Sequence, residues 1–102
     1  MAETPIPTLP PKERLILELL TSSGALYGLE LVERSVGGLK RGTVYVTLGR
    51  MEAKGFLTSE QETLPDGAIG LPRRRYRPTA LGERALRAWT LFTHELRLEV
   101  QT

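Results

Sequence analysis

Cysteine is absent from the 102 residues, which removes disulfide staples, thiolate metal ligands and a cysteine nucleophile together. Histidine occurs once, at His94, and the acids near it, Glu95 and Glu99, fall on different faces of a helix. No metal-ligand or general-base constellation forms there. Ser22, Ser23, Ser35 and Ser59 have no base near them in sequence, and no glycine-rich loop joins a strand to a helix. The expectation is a protein that is not an enzyme and carries neither cofactor nor metal. Long apolar runs are also missing: nothing approaches the roughly 20 residues a membrane helix needs. The start Met1-Ala2-Glu3-Thr4-Pro5 lacks the basic and apolar regions of a signal peptide. The reading is a soluble, cytoplasmic protein with no membrane partner.

What is present suffices for one conventional core. Hydrophobic residues make up 40% and charged residues 25%, near the average for globular domains, and the length is that of a single domain. The net charge of +2 decides nothing by itself, but its distribution does. Between Arg34 and Arg77 stand the bases Arg34, Lys40, Arg41, Arg50, Lys54, Arg73, Arg74, Arg75 and Arg77, against the acids Glu52, Glu60, Glu62 and Asp66. A positive face is expected in the middle of the chain, offset by the two ends.

Residues 1–11 contain Pro5, Pro7, Pro10 and Pro11 and read as an extended arm. From Lys12 to Leu20 the apolar residues Leu15, Ile16, Leu19 and Leu20 share one face, predicting a helix that Ser22-Ser23-Gly24 ends. A second helix is expected from Leu26 to Ser35, with Tyr27, Leu31 and Val32 inward, and Gly37-Gly38 stops it. A third is expected from Arg41 or Gly42 to Lys54, with Val44, Leu48 and Met51 in the core and Gly55 as its C-cap. Helices two and three with their short turn make a helix-turn-helix. Phe56 to Glu62 and Arg73 to Arg77 are strand candidates around a Gly- and Pro-containing tip, so a hairpin follows. Thr79 is a good N-cap for a last, proline-free helix from Ala80 to about Val100. The fold class is mainly α with a small β-hairpin: a winged helix-turn-helix over 12–79 and a final helix over 80–102.

That final helix is too apolar for a monomer's surface. One stripe holds Leu81, Ala85, Ala88, Trp89, Phe92 and Leu96, and a second holds Leu91 and Leu98. A helix lying on its own domain needs only one stripe, so a homodimer interface is expected at Trp89, Leu91, Phe92, Leu96 and Leu98.

The run from Gly42-Thr43-Val44-Tyr45 through Leu48-Gly49-Arg50-Met51-Glu52 to Lys54-Gly55 resembles the recognition-helix signature of the PadR family. Tyr27-Gly28-Leu29-Glu30-Leu31, Arg75-Tyr76 and Thr79-Ala80-Leu81-Gly82 extend the resemblance in the right order. The chain departs from the family pattern at Val46, where Pro is usual, at Met51, where Leu is usual, and at Arg77-Pro78, where the family has a variable residue and Leu. The resemblance implies a transcriptional regulator that binds double-stranded DNA as a dimer held by its C-terminal helix. Such proteins are usually repressors, and some respond to aromatic or hydrophobic small molecules. The rival reading is a winged-helix module that binds a protein and not DNA.

Thr43, Val46, Thr47, Arg50 and Lys54 share a helical face opposite Val44, Leu48 and Met51, as a helix entering the major groove requires. Arg50 is expected on a guanine edge, Thr47 on a base and Thr43 on a phosphate, with Lys40 and Arg41 just before the helix. Tyr45 has two readings, a phosphate contact or packing between helices. Alternation along the second strand sends Arg73 and Arg75 one way and Arg74 the other. At least one is expected on the phosphate backbone, against the alternative that the three guard a strand edge from pairing. Trp89 and Phe92 are either core packing or the wall of an effector site.

Overall fold

The computed structural model describes residues 9–70 and 72–101, with side chains to Arg97. Residues 1–8 of the expected arm and the side chain of Leu98 lie outside the described residues. Pro11 is already the first residue of the first helix, α1 (Pro11–Ser23), where a missing N–H costs no hydrogen bond. Ile16, Leu17 and Leu20 are fully buried while Leu15 and Leu19 are only partly so. The buried face is thus rotated from the expected one, because a charged residue, Glu13, occupies its first turn.

The segment expected to open the second helix instead forms a short strand, β1 (Leu26–Tyr27), and the helix α2 runs Gly28–Arg34. Helix α3 spans Val44–Ala53, preceded by a turn in which Val44 N–H donates to the Lys40 carbonyl, and Gly55, at φ 82°, closes its end. Strands β2 (Leu57–Gln61) and β3 (Arg74–Pro78) make the expected hairpin, and the last helix, α4, covers Ala80–Gln101. The sheet has three antiparallel strands in the order β1-β3-β2, with Tyr76 opposite both Leu26 and Ser59. Two residues carry too little periodicity to announce a strand. Their pairing with β3 is a long-range event that only the folded chain supplies.

One core joins all the helices to the inner face of the sheet: Leu9, Ile16, Leu17, Leu20, Leu26, Leu31, Leu39, Val44, Leu48, Met51, Phe56, Leu57 and Tyr76. Two glycines set how closely its parts approach. A Cβ on Gly28 would run into the Tyr45 ring, so α2 can lie against α3 only without one. A Cβ on Gly82 would overlap the Phe56 carbonyl oxygen and press on Leu17, so α4 sits directly on the backbone that leaves α3.

Thr79 anchors that start. Its hydroxyl accepts from Gly82 N–H at 3.0 Å and donates to the Gly55 carbonyl at 2.6 Å, as an N-cap that also ties two elements together. Along α4, Ala85, Leu86 and Trp89 pack on the core, whereas Leu81, Phe92 and Leu96 of the expected inner stripe are exposed, with Ala88. The helix of 22 residues outruns a domain only 22 Å across its thinnest axis, so its distal half has nothing of its own chain beneath it.

Gly82→Ala is expected to lower stability by about 2–3 kcal/mol, because the neighbouring atom is backbone and cannot swing away. Urea unfolding checks it, with Gly67→Ala in the exposed hairpin tip as the comparison.

Candidate nucleic-acid interface

Because Val44, Thr47, Leu48 and Met51 point into the core, α3 turns Tyr45, Val46, Gly49, Arg50 and Ala53 outward. Arg50 is exposed and makes no hydrogen bond or ion pair among the described residues. Its guanidinium stands beside a shallow groove lined by Pro10, Pro11, Lys12, Glu13 and Thr47. Thr43, Lys40 and Arg41 are exposed at the start of the helix. Tyr45 combines its two expected roles: its ring lies over Gly28, yet the residue is about half exposed.

Two residues assigned to this face sit differently. Thr47 is only 9% exposed, and its hydroxyl lies 3.3 Å from the Thr43 carbonyl, one turn back. The Lys54 ammonium is 2.7 Å from the carboxylate of Glu13, a residue 1% exposed, and lies over the Phe56 ring at 5.7 Å. A buried carboxylate needs a compensating charge, so Lys54 joins α3 to α1. Sequence spacing identifies the helix and misses this rotation, since the partner is 41 positions away.

The wing arginines divide as alternation requires. Arg73 and Arg75 cover the Tyr27 ring, at 4.0 and 4.8 Å from its centre. Arg73 also pairs with Glu62 at 3.1 Å, while the Tyr27 hydroxyl donates to Glu62 and accepts from Arg75. The Arg73 hydrogen bond, then the Tyr27 one, hold the Glu62 carboxyl below its ordinary range, and Glu62 in turn raises Arg73. This clasp fixes the root of the wing to β1. Arg74 takes the other side, donating to the Ser59 hydroxyl at 2.9 Å, which donates to Glu52 of α3 at 2.9 Å. Tyr76 is core, and burial raises its phenol above the usual value, keeping it neutral. No sequence signal marks the clasp, whose members Tyr27, Glu62 and Arg75 are brought together only by β1–β3 pairing.

The surface so built is a helix with an open arginine, a basic turn before it and a wing at its side. Residues 16–88 match the family described as the transcriptional regulator PadR-like family. The chain belongs to this family. A PadR family transcriptional regulator from Eggerthella lenta DSM 2243 is similar at 30% identity, covering 85% of this chain and 78% of that one, with a TM-score of 0.68. A PadR family transcription regulator from Clostridium difficile R20291 is 26% identical, covering 89% and 98%, with a TM-score of 0.66. A PadR-like transcription factor from Bacteroides fragilis, 24% identical over 86% and 84% of the two chains, shares the fold at a TM-score of 0.75. No curated protein matches the chain significantly. PadR-like proteins are transcriptional regulators and not enzymes, and among the described residues of this one no helix is long and apolar enough to cross a membrane.

With Arg73 held by Glu62 and Arg74 on the α3 side, Arg74→Ala is expected to flatten the salt dependence of DNA binding more than Arg73→Ala. One phosphate contact per wing, doubled in a dimer, corresponds to a slope change of roughly 2. Binding titrations across a salt series measure both slopes.

Proposed function

We propose that this PadR-like regulator is a sequence-specific repressor that binds double-stranded DNA as a homodimer on a two-fold symmetric operator. The observation that carries the reading is the outward face of α3, where Arg50 is unpaired and the opposite face is wholly buried. A guanidinium in that position matches the O6 and N7 acceptors of guanine in the major groove. Lys40 and Arg41 at the start of α3, and Arg74 on the wing, stand where a bound duplex has its phosphates.

Self-association is supported by α4, on which Leu91, Phe92 and Leu96 are 65%, 51% and 45% exposed. Two copies meeting through this face bury the same patch on each side and hold two recognition helices at a fixed separation. The Trp89 indole N–H is buried without an acceptor, and its ring lies 6.1 Å from that of Phe92. Both features suit a pair that lines a hydrophobic or aromatic effector's site between the two copies of α4, where the effector's own acceptor would take the indole proton.

Selection of bound sequences from a random DNA pool tests the reading, with a two-fold symmetric motif as the expected result. No enrichment would leave the protein-binding module in its place. On the selected operator, Arg50→Ala is expected to weaken binding about 5- to 150-fold more than on random DNA, the worth of one bidentate base contact. Equal losses on both would reduce Arg50 to a phosphate contact. Sedimentation of the free protein is expected to show a dimer that dissociates on dilution, and Phe92→Glu is expected to shift it to monomer.

A further inference from the structure

Two residues on the outward face of α3 are poor choices for the helix that holds them. Val46 is β-branched, which disfavours helix, and at 63% exposed it gains little from burial. Gly49, one turn on, is among the worst residues for a helix interior. A Cβ there would meet nothing within 4 Å, and its φ is not in the left-handed region. The fold therefore requires Gly49 neither for space nor for conformation. Both choices stand on the same face, with Tyr45 to one side and Arg50 to the other.

The surroundings say what covers them. Lys40, Arg41 and Arg50 are exposed around the apolar spot, and Glu52, the acid on α3, is turned to Ser59. A partner that is anionic at its rim and presents a methyl group at its centre fits this arrangement. The major groove of an A·T-containing duplex is such a surface, with phosphates along its edges and the thymine C5-methyl on its floor.

We propose that Val46 reads a thymine methyl, and that Gly49 lets the α3 backbone approach closely enough for Val46 and Arg50 to reach the bases together. This rests on the DNA-binding reading above and adds to it the base class read beside Arg50. Val46 supplies two methyl groups against one, an apolar contact that discriminates thymine from uracil. Gly49 exchanges helix stability for closeness.

The test uses the full chain and the operator selected from the random pool, with each thymine replaced in turn by deoxyuridine, which removes only the C5-methyl. At one thymine or more per half-site the replacement is expected to weaken wild-type binding about three- to fivefold, the worth of one buried methyl. Val46→Ala is expected to abolish that difference. Gly49→Ala is expected to raise the thermal midpoint by roughly 2–6 °C and yet to weaken operator binding at least about fivefold, since it lifts Arg50 from its base. Uniform tolerance of deoxyuridine, a thymine preference that survives Val46→Ala, or a stabilised Gly49→Ala that binds as well as wild type would each overturn the proposal. If no DNA is enriched, the parent reading falls and takes this one with it. If a motif is enriched but shows none of these effects, this proposal alone falls.

Discussion

Thr79 holds the geometry of this protein at one point. Its backbone N–H donates to the Phe56 carbonyl at 3.0 Å, and its hydroxyl bridges the Gly55 carbonyl to the first turn of α4. The end of α3, the entry to β2, the exit from β3 and the start of α4 therefore meet within a few ångströms. The missing side chain of Gly82 lets this meeting be a backbone contact, with no intervening layer. A surface that reads a partner with α3 and a surface that leaves the domain along α4 are thus joined by short hydrogen bonds. Any rotation of α4 is transmitted to α3 and to the wing with little slack.

The cations near the candidate interface fall into two groups with different physics. Lys54 and Arg73 each have a carboxylate within 3.1 Å, and these pairs position α1 against α3 and the wing against β1. Arg50, Lys40 and Arg41 have no such anchor and keep their full charge toward solvent. The first group sets shape and the second sets the field. In the Glu13–Lys54 pair one carboxylate oxygen remains buried without a donor, so its value lies in where it holds α3 and not in net stability.

Much of this was legible in the residues themselves. The apolar spacing of Val44, Leu48 and Met51 placed α3 and its core face, Thr79 placed the start of α4, and the arginine alternation separated Arg74 from Arg73 and Arg75. Local periodicity determines such features, because each depends on residues within a turn or two of one another. The motifs around Gly42–Gly55 likewise identified the family before the fold was seen.

Tertiary structure decided what depends on distant partners. Leu26–Tyr27 became a strand because β3 offered it an edge, and α1 rotated so that Glu13 reached Lys54. Thr47 turned inward, and Phe92 and Leu96 were left outside while Leu86 packed within. The sequence by itself determined the elements, their order and the family, since these follow from short-range pattern. Which side chains of those elements face the core, a partner residue or open solvent was decided only when the helices packed, because a rotation of one helix by a few tens of degrees leaves its periodicity unchanged and alters every contact it makes.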